Sequence, residues 1–357
     1  MNVAPSQNPG PSTSGHRPEG PGRHSVVVGV DGSEQSLRAA HWAAAEANRR
    51  GLPLTVVTTY SLPAFAASSM DGGYALMDES ALRQGSEKVI DQTKDFLRDY
   101  PGEITYFIES GDAAGVLLDY SQDAAVLVVG SRGRGGFLGR LLGSVSSALP
   151  AHAKCPTVVV PLKFSSQESN AVTTATGAIP LITPARAAEE AADGSSRRDD
   201  TRAVSAGVDG SDFGRVAALV AAREASERGT SLRIVCALPP LGATLVWIPT
   251  HVEDGQAQEE LREKLDAGRR WLHSHYPDLE IEATVVDGSA VDVLVEETRN
   301  SQLTVVGTRG RGGFAGMLLG STSQGVLHHA EGPLMVVPET RDRRLADRTE
   351  FGPMLGE

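Results

Sequence analysis

Cysteine is almost missing from this chain: two residues in 357, Cys155 and Cys236, far apart and each in an apolar stretch. That excludes a disulfide framework and a zinc site built on thiolates. Two small buried hydrophobes in a reducing compartment is the simpler reading. Aromatics make up 5% of the chain against 40% hydrophobic residues overall, so any core must be filled by Val, Leu, Ile and Ala. Positive charge is in deficit, with 33 Lys and Arg against 45 Asp and Glu, a net charge of −12. A nucleic-acid coat or a binder of anionic membranes needs the opposite field. No apolar run approaches the ~18 residues of a membrane-spanning helix. The Pro-, Gly- and Ser-rich start, Met1 to His24, has neither the apolar core of a signal peptide nor the amphipathicity of a transit peptide. The expectation is a soluble, cytoplasmic protein with neither nucleic acid nor membrane as partner.

What the chain does have is two copies of one unit. Residues 130–146 read GSRGRGGFLGRLLGSVS and residues 307–323 read GTRGRGGFAGMLLGSTS, an offset of 307 − 130 = 177. Upstream, Val28-Gly29-Val30-Asp31-Gly32-Ser33 matches Ala206-Gly207-Val208-Asp209-Gly210-Ser211, an offset of 207 − 29 = 178. A near-constant offset over a hundred residues means tandem domains rather than a solenoid of short repeats. Composition sets the boundaries: units at 24–163 and 201–339, a small, polar, flexible linker at 164–200, and disordered tails at 1–23 and 340–357.

In each unit apolar β-rich runs alternate with helical patterns. Strands are expected at 25–30, 54–60, 103–109, 125–130 and 157–161, with copies near 203–208, 232–238, 280–286, 303–307 and 334–337. Helices are expected at 34–50, 79–99, 113–122 and 144–153, and near 212–228, 256–276, 290–299 and 321–330. Runs such as VVVGV and AVLVVG are continuously apolar, as parallel strands covered on both faces require. On the helix at 36–47, Leu37, Ala40, Ala44 and Ala47 share one face suited to close packing on a sheet. The alternation points to α/β architecture, two doubly wound domains with right-handed crossovers.

In such sheets ligands bind beyond the carboxyl ends of the strands, where strand order switches. Two loops there carry chemistry. One is Val30-Asp31-Gly32-Ser33, with its copy Val208 to Ser211; the other runs Gly130, Gly133, nine residues, Gly143-Ser144, with its copy Gly307, Gly310, nine residues, Gly320-Ser321. Gly130 and Gly133 permit close backbone approach and positive φ. Gly143, Ser144, Val145 and Ser146 open a helix whose free N–H groups and dipole make an anion site; Ser321, Thr322 and Ser323 repeat it. The hydroxyls of Ser144 and Ser146 add donors for phosphate oxygens. Asp31 and Asp209 suit a ribose hydroxyl or a phosphate-bound Mg²⁺. The competing reading is structural, glycines for tight turns and Asp-Gly-Ser for a helix start capped by Asp31 or Ser33. Other nucleotide signatures fail. Leu138 and Ala315 stand where a dinucleotide fingerprint needs its third glycine, and no Gly-Lys-Ser/Thr marks a P-loop.

The pattern Gly-x2-Gly-x9-Gly-Ser, with Val-Asp-Gly-Ser upstream, resembles the ATP-binding branch of the universal stress protein family, in tandem form. The resemblance covers both units. It implies a five-stranded parallel sheet of order 3-2-1-4-5 in each, dimerisation or domain pairing through strand 5, and ATP between the two loops. It also implies a regulatory role in stress and dormancy, and a backbone contact to adenine at Thr59 and at Ala237. Gly29 and Gly207 enter the site by the same match.

Several features are set aside. Arg132-Gly133-Arg134-Gly135-Gly136 looks like an RNA-binding box, but it is single, short and without interleaved aromatics in an acidic chain. Arg132 and Arg309 are read instead as hovering over phosphates or lying in solvent. His273 and His275 do not face each other on a helix, and His152, His328 and His329 suit helix C-termini. Trp42, Trp247 and Trp271 read as core or interface aromatics. Three functions remain: a non-catalytic ATP-binding regulator, a slow ATPase or nucleotidyl-transfer enzyme, and a dimerising scaffold without nucleotide. Lacking a placed base or catalytic lysine beside the loops, the sequence favours the first.

Overall fold

The computed structural model describes residues 24–61, 79–133, 142–161, 202–239, 254–310, 318–340 and 342–346. The expected linker, the tail at 1–23, Trp247, and Arg134 to Gly136 lie outside them.

The first unit runs β1 (Val26–Gly29), α1 (Glu34–Arg50), β2 (Leu54–Tyr60), α2 (Glu79–Phe96), β3 (Ile104–Ser110), α3 (Ala113–Tyr120), β4 (Val126–Gly130), α4 (Ser144–His152) and β5 (Thr157–Val160). The second repeats it as β6 (Val204–Gly207), α5 (Asp212–Arg228), β7 (Leu232–Leu238), α6 (Asp254–His275), β8 (Ile281–Asp287), α7 (Ala290–Asn300), β9 (Leu303–Gly307), α8 (Ser321–His329) and β10 (Leu334–Val337). One sheet of ten strands results, in the order β3-β2-β1-β4-β5-β10-β9-β6-β7-β8. Each half therefore has the order 3-2-1-4-5 with parallel neighbours, and β5 meets β10 antiparallel with Val158 opposite Met335.

The continuous apolar runs account for the layering. Val26, Val28, Val126 and Val128 face one core with α1, α2, α5 and α6, while Val27, Leu127 and Val129 face the other with α3, α4, α7 and α8. Sheet-edge β3 is half-buried along most of its length, as the strand with one neighbour should be.

Helix α1 starts where Ser33 accepts the Ser36 N–H and stops at Gly51, whose φ of 62° only glycine adopts without strain. Its buried face is wider than the periodicity predicts. Leu37 is only half-buried, while Ala39, Trp42, Ala43 and Glu46 join Ala40, Ala44 and Ala47. The reason is a second neighbour, because α1 packs on the sheet and also against α5.

That second contact holds buried charge. Arg228 Nη2 donates to Glu46 Oε2 at 2.7 Å, and Arg50 donates to Glu224. Burial alone would raise the Glu46 carboxyl, but the guanidiniums of Arg228, Arg50 and Arg49 outweigh it and hold it at about 2. Glu224 shifts upward, being buried beside a carboxylate that is already ionised.

Of the tail expected from 340, residues 347–357 lie outside the described residues, and Arg343–Ala346 form a 3-10 helix. Arg344 ties it down, donating to Asp342 Oδ2 at 2.7 Å and to the Tyr276 hydroxyl at 3.0 Å. A charged side chain with two placed acceptors orders a segment that composition alone reads as polar coil.

Both cysteines are buried and unbridged. Burial pushes the Cys155 thiol up to about 12. Cys155 is therefore expected to resist a thiol-specific reagent in the native protein at pH 8, and to react within minutes once the chain is unfolded in denaturant. Rapid native-state labelling of Cys155, read by peptide mass, would contradict this burial.

Candidate functional site

Because β1 lies between β2 and β4, the loops that leave β1 and β4 emerge side by side at one end of the sheet. Asp31 is held by its own helix start. Its Oδ1 accepts from the Ser33 N–H at 2.9 Å and from the Ser33 hydroxyl at 2.6 Å, and Gly32 supplies the required positive φ of 75°. The Ser33 hydroxyl in turn accepts from the Ser36 N–H at 3.2 Å. Asp209, Gly210, Ser211 and Gly214 repeat this, at 3.0 Å, 2.6 Å and 3.1 Å. The helix-start reading of Asp-Gly-Ser is thus realised in both copies, with Ser33 and Ser211 as caps. The second oxygen of Asp31 points into the other loop.

Contact between the two loops explains two glycines. A Cβ built on Gly133 would overlap Asp31 Oδ2, and one built on Gly310 would overlap Asp209 Oδ2. A Cβ on Gly130 would come within 2.9 Å of the Gln35 backbone, and one on Gly307 within 2.9 Å of the Phe213 carbonyl. The positive φ expected at Gly130 and Gly133 is absent; Gly32 and Gly210 have it instead. Close approach, not handedness, selects glycine after β4. Gly29 and Gly207 are tight for a third reason, lying against Leu117 and Leu294.

Gly143 and Gly320 are different. They cap α4 and α8 in extended backbone, with φ of −78° and −71°, and a built Cβ at either position meets nothing nearer than 3.4 Å. Beyond them the first amides of α4 and α8 point past the helix start, since the opening N–H groups of a helix have no partner within it. Ser144 and Ser321 are exposed there, and Val145 and Thr322 half-buried.

Ser146 does not fit the donor role expected of it. It is buried, gives its proton to Ser131 O at 2.7 Å and accepts from the Gly143 N–H at 3.1 Å. Ser323 likewise donates to Gly307 O at 2.7 Å. These hydroxyls fasten the helix start to the end of the preceding strand, because a buried carbonyl there needs a donor. Arg309, read as lying over phosphates or in solvent, is partly exposed. Its guanidinium lies 4.6 Å over the Phe213 ring and bonds Glu339 at 3.3 Å, so it is drawn toward the end of β10. Arg132 is half-buried. Thr59 and Ala237 sit half-buried at the carboxyl ends of β2 and β7, at equivalent positions of the two halves of the sheet.

Sequence reasoning missed two features. Ser36 bridges the loop, accepting from the Asp31 N–H at 3.3 Å and donating to Ser33 O at 2.8 Å, whereas its counterpart Gly214 has no hydroxyl. The available signal was a serine three residues past a cap. The second is an apolar cleft of about 90 Å³, open to solvent, in the second unit. Val208, Ile234, Cys236, Leu265 and Trp271 line it beside Gly210. It depends on how α6 lies across β7, which no local pattern reports. Among the described residues no cluster of three or more His, Cys, Asp or Glu could hold a metal, and no helix is long and apolar enough to cross a membrane.

The family model for universal stress proteins matches residues 22–161 and again 201–338. The chain belongs to the universal stress protein family. A universal stress protein of Mycobacterium tuberculosis is 32% identical over 330 residues, covering 88% of this chain and 96% of the relative. One from Mycolicibacterium smegmatis is 33% identical over 328 residues, covering 88% and 97%. Among solved structures, a universal stress protein from Archaeoglobus fulgidus superposes with a TM-score of 0.58 at 17% identity, covering 88% of this chain and 98% of that one, a likeness of fold.

The glycines of this universal stress protein should separate into two classes. Gly130→Ala and Gly307→Ala, whose Cβ would press on the Gln35 and Phe213 backbone, are expected to destabilise their units by about 1–3 kcal/mol, the range for forcing extra volume into a filled site. Gly143→Ala and Gly320→Ala should stay within about 0.5 kcal/mol of the parent. Thermal unfolding of the four single variants measures the difference.

Proposed function

We propose that this universal stress protein is a non-catalytic regulator that binds one ATP in each unit. The observation that carries the reading is the pair Gly143 and Gly320. Neither backbone angle nor neighbouring atoms of the protein require glycine there, and both stand at helix starts, where amides and dipole attract phosphate. A glycine that the fold does not need is accounted for by a ligand that must come close.

In this reading the amides of residues 144–146 and 321–323 hold the phosphates, with the exposed hydroxyls of Ser144 and Ser321 at hand; the Gly143 and Gly320 N–H groups are taken by Ser131 O and Thr308 O. Asp31 and Asp209, braced by Ser33 and Ser211, take the ribose hydroxyls. The main chain at Thr59 and Ala237 meets the adenine, and the cleft beside Gly210 accepts the base in the second unit. Val30, Val208, Gly32 and Gly210 form the floor between loop and strand. ATP would bring Mg²⁺ on its phosphates, and Asp31 and Asp209 are the carboxylates the loops present toward it. Catalysis would need a base poised to activate water or a charge clamp on the γ-phosphate. Oδ1 of each aspartate is engaged by its own helix start, and Arg309 is drawn to Glu339, which favours a binding switch over turnover. The two units pair through β5 and β10, two short apolar strands that would otherwise be open edges.

Isothermal titration should give two ATP per chain. Gly143→Glu and Gly320→Glu should each remove one site and together remove both, the added carboxylate taking the place of phosphate. An acid at a helix N-terminus is well tolerated, so circular dichroism and unfolding should change by about 1 kcal/mol or less. Asp31→Ala and Asp209→Ala should weaken binding without abolishing it, because the amides remain. Undiminished binding in a folded Gly143→Glu, Gly320→Glu chain would remove the phosphates from this loop. Steady release of phosphate from ATP and Mg²⁺ would reinstate the enzyme reading.

A further inference from the structure

The buried charges between α1 and α5 are arranged by a rule. Glu46 and Arg50 are four residues apart near the end of α1, and Glu224 and Arg228 stand at the equivalent places of α5, each displaced by 178 (224 − 46 and 228 − 50). Within each helix the acid meets its own base: Arg50 Nε donates to Glu46 at 2.6 Å, and Arg228 Nη2 lies 3.4 Å from Glu224. Across the units each acid meets the other helix's base, Glu46 with Arg228 at 2.7 Å and Glu224 with Arg50. The side chains of Glu46, Arg50, Glu224 and Arg228 are 1%, 8%, 0% and 3% exposed. Trp42 adds a ring 5.7 Å from the Arg228 guanidinium. The adjoining strands obey the same symmetry, because Val158 pairs with its own counterpart Met335, at offset 335 − 158 = 177. A local two-fold axis therefore relates the four charges and the paired strands, which are complementary to copies of themselves, while the flanking Arg49 on α1 and Glu227 at the equivalent place on α5 depart from it.

Charges this deeply buried discriminate between partners more than they stabilise. A matched partner roughly repays their desolvation, whereas a partner lacking the pattern leaves a carboxylate or guanidinium buried and unpaired, at high cost. Apolar strands such as β5 and β10 would by themselves pair with many edges.

We propose that the Glu–Arg pair, acid first and base four residues later, is the recognition code by which a unit chooses its partner. It accepts the other unit of its own chain because tethering raises that unit's effective concentration, and it accepts a second copy of this chain when that partner is spoiled. This rests on the β5–β10 pairing proposed above.

The test reverses one helix at a time in the full chain, which keeps an acid–base pair within each helix. One variant carries Glu46→Arg with Arg50→Glu, a second Glu224→Arg with Arg228→Glu, and a third all four changes. Light scattering gives mass and small-angle X-ray scattering gives shape. In either half-reversed chain like charges face each other within the chain, while each unit still matches its own kind in another chain. The mass should at least double and depend on concentration. The fully reversed chain should return to the parent's mass and radius of gyration. Parent-like mass and shape in both half-reversed chains, or failure of the folded four-change chain to return, would overturn the code. Should the reversals not fold, Arg50→Met and Glu224→Gln, singly and together, replace them. Coupling predicts that the double variant loses less urea midpoint than the two singles summed, and strict additivity overturns it. If β5–β10 pairing itself fails, the parent chain alone will already scatter as two separated units.

Discussion

The position of β1 between β2 and β4 is the constraint on which the rest depends. Parallel strands need crossovers, so every loop that leaves a strand's carboxyl end emerges on the same rim. Where two consecutive crossovers go opposite ways, the rim opens into a crevice. Residues a hundred apart, Asp31 and Gly133, become neighbours there, close enough that only a missing side chain lets them meet. The burial of β1 and β4 on both faces holds that rim rigid, because any shift of one strand would move side chains in two cores at once.

The duplication lets the molecule serve as its own control. The bonds from aspartate to serine recur in both copies to within 0.1 Å, so they belong to the design of the loop. The differences are informative as well. Ser36 against Gly214, and Phe213 under Arg309, give the two rims different surroundings. The apolar cleft beside Gly210 adds a further distinction on the second side. The two rims therefore differ in what they would offer a ligand.

The charges between α1 and α5 link these rims to the middle of the molecule. Each helix begins at an Asp-Gly-Ser loop and ends at the buried Glu–Arg cluster, roughly 25 Å away at 1.5 Å per residue. The same 17-residue element thus frames a candidate ligand site at one end and an inter-unit contact at the other.

Much of this was legible in the residues alone. The continuous Val and Leu runs announced strands covered on both faces. The duplicated glycine spacing announced two equivalent rims, and Ala-rich helices announced close packing. Each is a local or periodic signal, carried by the sterics and hydrophobicity of a few adjacent side chains. What the residues could not announce was which partner a polar group would choose. Ser146 read as a phosphate donor, yet its buried hydroxyl closes on Ser131 O, which also accepts the Gly143 N–H at 2.9 Å. Arg309 read as lying over phosphates or in solvent, and only the structure shows the ring of Phe213 and the carboxylate of Glu339 beside it. Gly130 and Gly133 read as permitting close approach to a ligand and positive φ; their φ is not positive, and the protein groups they approach closely are Gln35 and Asp31. Nothing in the helical pattern marks Glu46 and Glu224, and only the meeting of α1 with α5 buries them beside Arg228 and Arg50. Sequence by itself determined the elements, their order and the chemistry available at the rim. Tertiary structure decided which donor faces which acceptor, because that depends on distances between segments that no local pattern encodes.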